Sequence, residues 1–500
     1  MPPADRDPAP PAEPVRGPRS AVGLVLENVA TLGASEILAR GIGFLATVYV
    51  ARTLGVEAYG VVGFALSVTL YLWAATDFGV ELGGPREIAA AAATGGWVRA
   101  VIFGRLAIAG ILGVPTVLVG WFVLPSPDGR ILALYGLTLL PVAVGVRWVL
   151  IGVERTRAVA FGRLGAEAMR ALLLVWLVRA SGDLPLVPLT QLAAEGIVAA
   201  GLILVAVRVR RLTPGPVDWR EARRILRRTA PLALTTLLGL MVYNADLIML
   251  RIFRTRADVG LYFSAFALVT LVGNVGNAMR TALIPTLTRV RADPDVHTAV
   301  WHAGLLLGVT IGLPIAVAGW MLASDVLGTV FGPTYVGGAP ALAVLVISIP
   351  LLMARGAMEA VAVAEGRSDI VLRETALGAT VNVSANLVAI PAFGLVGAAL
   401  TTVLTELIRA SRMILRMREL GAPLPPPARF RHVAAATTLM AIVLWLLGPG
   451  RLWISVAGGG VTFVAATLLT GGYRLGVVSR TPGDEATPAD EVDPQADDTD

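Results

Sequence analysis

Long apolar runs recur almost without a break from about residue 28 to residue 472, and no other feature limits the possible fold so strongly. A run of 18 or more apolar residues is long enough to cross the roughly 30 Å hydrocarbon core of a bilayer as a helix. Lipid offers no partners to backbone N–H and C=O groups, so such runs must satisfy themselves as spanning helices. We place them at 28–50, 60–82, 97–124, 130–151, 158–180, 187–207, 230–252, 258–283, 300–323, 339–363, 370–392, 394–415, 431–448 and 451–472. The expected fold is an all-α integral membrane protein with about fourteen transmembrane helices. Tight joins near Phe393 and Gly450 leave thirteen as the other count. Composition agrees: only 15% of residues are charged, against about 25% in ordinary soluble domains.

Charge fixes the expected topology and excludes several chemistries. All 41 basic residues are arginine, so a Walker A phosphate loop, which needs its lysine, is excluded. With no cysteine there is no disulfide, thiolate metal site or cysteine nucleophile. The three histidines, His297, His302 and His432, read as interfacial loop residues rather than a zinc cluster or triad. With the N-terminus placed in the cytoplasm, 26 arginines fall on cytoplasmic segments, seven on the other side and eight inside helices. That bias follows the positive-inside rule and predicts both termini in the cytoplasm. It explains the net charge of +6 without nucleic-acid binding. Arg251, Arg254 and Arg256 go against the trend.

The chain divides by composition. Residues 1–27 form a Pro-rich tail, expected to be disordered and without a signal peptide; 28–207 carry six spans. The stretch 208–229 is a basic cytoplasmic linker, whose second part reads as an amphipathic interfacial helix with Trp219, Ile225 and Leu226 toward lipid. Residues 230–418 carry six more spans, 419–473 two further helices, and 474–500 an acidic tail expected to be disordered. At an offset of 202, Arg52-Thr53 matches Arg254-Thr255 and Phe64-Ala-Leu66 matches Phe266-Ala-Leu268. Two six-helix lobes enclosing a site between them are a common transporter plan.

Several motifs carry a family resemblance. Arg52-Thr-Leu-Gly55, Tyr59-Gly60, Asp77-Phe-Gly79 and Pro85-Arg86-Glu87 resemble the opening of bacterial oligosaccharide-lipid flippases, the Wzx-like polysaccharide transporters of the MOP superfamily, related to MATE and MurJ proteins. Asn244-Ala-Asp246 with Val259-Gly-Leu-Tyr262 is similar to the start of their second lobe. Phe331-Gly-Pro-Thr-Tyr335, Asn386 and Ile390-Pro-Ala-Phe-Gly394-Leu-Val-Gly-Ala-Ala399 resemble later signatures. The resemblance spans about residues 25 to 420 and implies a V-shaped bundle, two six-helix lobes plus two C-terminal helices, working by alternating access. It further implies an undecaprenyl-pyrophosphate-linked oligosaccharide as cargo, membrane lipid and other polysaccharide assembly proteins as partners, and residence in the cytoplasmic membrane.

Charged residues inside spanning helices are costly and mark functional or structural pairings. Guanidinium groups suit pyrophosphate because they meet its oxygens with two parallel bonds. Arg40, Arg105, Arg170 and Arg355 are therefore the expected cavity cations, with Glu36 beside Arg40. Glu36/Arg40 and Arg355/Glu359 are four apart, and Glu167/Arg170 and Glu406/Arg409 three apart, so each pair shares a helix face and can neutralise itself. Asp246, Asn244, Glu195, Asn382 and Thr401 are expected to bind a coupling ion, Na⁺ or H⁺; no other cofactor and no resident metal are expected. Asp77, Glu81 and Arg86 are expected at an inner gate or as helix caps. The expected function is a non-enzymatic flippase. The rivals are a MATE-type antiporter, which favours cavity acids over arginine, and a flippase of the peptidoglycan lipid precursor. A membrane glycan polymerase or ligase generally needs a large extracytoplasmic loop, which this spacing does not contain.

Overall fold

The computed structural model describes residues 18–90, 95–209 and 216–470, and every regular element among them is helical. The helices are α1 (Pro18–Leu54), α2 (Val56–Asp77), α3 (Val80–Ala90), α4 (Gly95–Phe122), α5 (Asp128–Gly136), α6 (Leu139–Val144), α7 (Arg147–Gly152), α8 (Thr156–Leu177) and α9 (Leu186–Arg208). They continue with α10 (Trp219–Phe253), α11 (Arg256–Arg289), α12 (Pro294–Met321), α13 (Ala323–Val330), α14 (Ala339–Leu345), α15 (Ser348–Ala364), α16 (Ser368–Glu419), α17 (Arg431–Leu447) and α18 (Leu452–Leu469). Among the described residues eleven spans qualify by length and apolar composition, or twelve if the bent pair formed by 333–345 and α15 counts as one. The expected count of fourteen is not reproduced, and two segments show why. Helix α8 carries Arg157, Arg163, Glu167 and Arg170, too many charges for a simple apolar span. Helix α16 counts once, although 52 residues at about 1.5 Å each would reach about 78 Å, far more than a bilayer.

That long helix is a hairpin. Gly394 adopts φ 59 and ψ −133, a conformation open to glycine, and reverses the chain. The two arms then pack antiparallel, with Arg409 reaching Thr375 and Arg412 reaching Glu374. The same geometry explains the joint near Phe393 expected from sequence.

Two boundaries differ from expectation. Helix α1 begins at Pro18, so residues 18–27 extend the first helix rather than belonging to a tail. The basic linker does not lie flat as a separate element: its second part is the first two turns of α10, capped by the Asp218 carboxylate, which accepts from Glu221 N at 3.0 Å. Trp219 is exposed as expected, but Ile225 is buried in a cluster with Trp97, Val98, Val101 and Trp148. Ile225 and Leu226 therefore meet protein, Leu226 against Gly104 of α4. The histidines sit in helices; His302 and Trp301 of α12 both bind the Pro423 carbonyl, at 2.8 and 2.9 Å, and fasten the α16–α17 connection. The 474–500 tail and residues 1–17 lie outside the described residues.

The first lobe comprises α1–α9 and the second α10–α16. We call the membrane face where α9 ends and α10 begins the linker side, and the other the far side. On the far side the largest core cluster joins the lobes around Tyr59, Tyr262, Phe331 and Tyr335. Tyr59 stacks on Phe263 with ring centroids 4.8 Å apart, and the Tyr335 hydroxyl donates to Ala51 O at 2.7 Å. Backbones touch where α2 crosses α11: a Cβ on Gly60 would stand 2.0 Å from Arg256 O, and one on Gly260 2.0 Å from Val56 O. No side chain fits at either position.

Candidate functional site

The first lobe holds a connected band of charge. Arg40 Nε donates to Glu36 Oε1 at 2.8 Å, and the two side chains are 41% and 34% exposed. Arg163 Nε of α8 lies 3.6 Å from the other Glu36 oxygen and its Nη1 3.3 Å from Glu167. Arg170 holds Glu167 through two donors, at 3.1 and 2.8 Å. Gly43 of α1 leaves the room for this, since a Cβ there would lie 3.3 Å from Glu167 Oε2. Arg40 also crosses to the second lobe and donates to Asn274 Oδ1 of α11. Glu36 and Arg40 therefore face the seam between lobes, whereas Ile37, Leu38 and Leu45 of the same helix are exposed. Glu195 takes a long 3.4 Å bond from Gln191 and stands within electrostatic reach of Arg163, Glu167 and Arg170.

The second lobe holds a closed ring. Arg355 Nε meets Glu406 Oε2 at 2.8 Å, and Arg355 also pairs with Glu359. Arg409 meets Glu406 at 3.0 Å and Glu359 at 3.4 Å. The Tyr243 hydroxyl accepts from Arg355 at 2.7 Å and donates to Glu406 at 3.1 Å. These four charges are only 1–6% exposed. Gly378 admits the ring, because a Cβ there would lie 2.5 Å from Arg409 Cδ. Arg280 of α11 touches the ring at Glu359, 3.4 Å away, while remaining about one-third exposed.

Two expected cavity cations are thus corrected. Arg355 is buried inside the second lobe and neutralised by two carboxylates. Arg105 is 1% exposed; it donates to the Gly145 and Val142 carbonyls at 3.0 and 2.6 Å and lies 3.2 Å from Asp77. Carbonyls left free at a helix end attract such a cation, which is why it is drawn inside. Arg40 and Arg170 do stand in the band at the seam, at 41% and 18% exposure.

Of the expected ion ligands, Asp246, Asn244, Asn382 and Thr401 lie in the second lobe and Glu195 in the first. Asp246 is 1% exposed and accepts from the Tyr262 hydroxyl and from Leu247 N at 2.8 Å. Thr402 lies within hydrogen-bond reach of Tyr262, which ties α10 and α11 to the second arm of α16. The hairpin register brings Asn382 and Asn386 of the first arm level with Thr401 and Thr405 of the second, all buried. Asn386 Nδ2 donates to Asn382 Oδ1 at 3.0 Å, yet Asn386 Oδ1 and Thr405 Oγ1 are buried without a partner. Asn244 is half-buried two residues before Asp246.

The expected gate residues lie where α2 breaks into α3. Both Asp77 oxygens accept from Glu81 N, at 3.2 and 3.3 Å, and so cap α3 after the break at Phe78 and Gly79. Glu81 lies 4.0 Å from Arg147, and Arg86 is exposed. The pair that joins α3 to α10 uses Glu87 instead, 3.3 Å from Arg228.

The far side explains the arginines that broke the topology trend. Asp128 of α5 is held by Arg251 through two 2.9 Å bonds and by Arg256 at 2.8 Å, both from the second lobe. The repeated Arg-Thr pair also has a repeated role. Arg52 donates to Thr329 O and, at 2.8 Å, to Val330 O; Arg254 donates to Ile390 O at 3.2 Å and Pro391 O at 2.6 Å. Each binds the carbonyl end of a helix or helical arm, where a cation is favoured. Sequence reading missed Asn274 on α11, the partner of Arg40, since a neutral amide stands out from neither the charge pattern nor the hydropathy.

A two-lobed, multi-pass bundle of this kind is a fold shared with several known transporter structures. The lipid II flippase MurJ in an inward closed conformation has a TM-score of 0.72 at 11% identity, covering 88% of this chain and 98% of that one. An inward-facing multidrug resistance MATE transporter of the MOP superfamily gives 0.59 at 16%, covering 76% and 94%. A MOP superfamily transporter from Pyrococcus furiosus gives 0.53 at 16%, covering 78% and 95%. No curated protein sequence matches. A sequence model of polysaccharide biosynthesis proteins matches residues 25–291, a little over half of the chain, and the protein belongs to that family.

Proposed function

We propose that this protein carries a polyprenyl-pyrophosphate-linked oligosaccharide across the cytoplasmic membrane for polysaccharide synthesis, by alternating access. The observation that carries the reading is the partly exposed band of Arg40, Glu36, Arg163, Glu167 and Arg170, bridged to the second lobe at Asn274. Each arginine there is held by a carboxylate or amide that a pyrophosphate can displace. Arg280 offers a further half-exposed cation on the second lobe. The family and the likeness to a lipid II flippase support a lipid-linked cargo. An excess of arginine over free acids at the seam favours an anionic headgroup over the organic cations of an antiporter.

In this reading the linker side faces the cytoplasm, both termini lie there, and the cargo enters there while the far side is shut. Na⁺ or H⁺ is the coupling ion, taken by Asp246 with Asn382, Asn386 and Thr401. These are hard oxygen donors of the kind sodium prefers, and the partnerless Asn386 oxygen supports the assignment, since buried polar atoms are normally satisfied. The test is leaflet translocation of a labelled polyprenyl-pyrophosphate glycan in proteoliposomes. Transfer well above that in protein-free vesicles, and faster with a sodium or proton gradient, supports the reading; transfer equal to that in empty vesicles ends it.

A further inference from the structure

We propose that the start of α10 and the outer face of α4 form a seat for one anionic phospholipid, outside the lobe seam and independent of the transport reading. Arg220, Arg223 and Arg227 are exposed and share one helix face, about 10 Å from first to last. Among the described residues no carboxylate lies within salt-bridge distance of these three. Their neighbours differ: Arg224 pairs with Glu221, and Arg228 lies 3.3 Å from Glu87. The three free guanidinium groups thus present uncompensated positive charge at the linker-side surface. Phosphate is the natural counter-group, because a guanidinium meets it with two parallel bonds.

The surface next to the arginines says which phosphate. Trp219 and Phe103 are 57% and 49% exposed, and their rings stand 6.4 Å apart. Exposed aromatics of this kind favour the membrane interface. Below them α4 exposes Phe103, Ala107, Ile111 and Val114, one lane at helical spacing. From Phe103 to Val114 the lane runs about 16 Å, close to the depth of one leaflet. Headgroup cations, interfacial rings and an acyl lane line up in the order of a phospholipid. The seat is also held rigidly: Arg99 donates to Pro216 O at 3.0 Å, Asp218 N to Gly96 O at 3.3 Å, and Leu226 lies against Gly104. A soluble phosphate would use the arginines but leave the lane unused.

The test uses the full chain, delipidated in nonionic detergent and exposed to an equimolar mixture of phosphatidylglycerol and phosphatidylcholine, with retained lipid read by native mass spectrometry. Phosphatidylglycerol should be retained about tenfold over phosphatidylcholine, as interfacial arginines favour anionic lipid. The triple variant Arg220→Gln, Arg223→Gln, Arg227→Gln should lose the preference while unfolding at the wild-type temperature in phosphatidylcholine. Arg373→Gln, at another exposed arginine, should keep it. If the triple variant does not fold, Arg223→Gln alone should lower the preference severalfold. Equal retention of the two lipids by the wild type, a preference unchanged in the variants, or full displacement of phosphatidylglycerol by millimolar inorganic phosphate would overturn the proposal.

Discussion

The two lobes hold the same residue types at the same helical spacings and use them in opposite ways. In the first, Arg40, Glu36, Arg163, Glu167 and Arg170 remain 12–41% exposed, and Arg40 reaches across the seam to Asn274. In the second, Arg355, Glu359, Glu406 and Arg409 close on one another at 1–6% exposure. An exposed pair is worth little and is easily opened by a competing anion. A buried pair is costly to break, because the partner left behind is an uncompensated charge. The first arrangement suits a site that exchanges partners, and the second suits a scaffold that keeps α10, α15 and both arms of α16 in one body.

Four substitutions strain that contrast. Glu406→Ala should have the largest effect, leaving Arg355 and Arg409 with one carboxylate between them; a loss of about 3–5 kcal/mol in detergent unfolding is expected. A stability like the wild type's would mean that the ring is not the scaffold. Asp128→Asn comes next, since Asp128 is a first-lobe carboxylate buried like those of the second. Weakening its bonds to Arg251 and Arg256 should cost the closed far side about 1.5–3 kcal/mol. The chain has no cysteine, so a single Val61→Cys reporter is clean; its labelling from the far side should rise about tenfold. No rise would show that the latch does not hold the lobes shut.

Arg40→Ala should lower transport about tenfold with the fold intact, the cost of one charge-assisted contact; undiminished transport in the vesicle assay would remove Arg40 from the cargo route. Smallest is Glu36→Gln, whose stability change should stay within about 1 kcal/mol. A larger loss would place the first-lobe pair in the same class as the ring and erase the contrast.

Much of the fold was legible because lipid leaves the chain few options. The all-helical apolar architecture and the tight join by Phe393 follow from apolar length and a glycine. Pairs on one helix were legible too, as i,i+3 and i,i+4 spacing predicted Glu36–Arg40, Glu167–Arg170 and Glu406–Arg409. Partners on different helices were not. Arg105 with Asp77 and Arg251 with Asp128 are set by packing, which spacing does not encode. Burial was equally hidden: Arg40 and Arg355 look alike in sequence, each with a glutamate four residues away, and only the surrounding helices separate a cavity cation from a core one.

The crossing of α2 over α11 has a further consequence. Its contact at Gly60 and Gly260 is main chain on main chain. Such a joint carries no charge to titrate, no rotamer to reset and no apolar tip to extract from a pocket. In the proposed transport cycle the lobes roll about it while the latches beside it open and close, much as a bearing turns without engaging the load. Salt, pH and cargo then act on the latches, and the axis on which the two halves turn stays indifferent to all three.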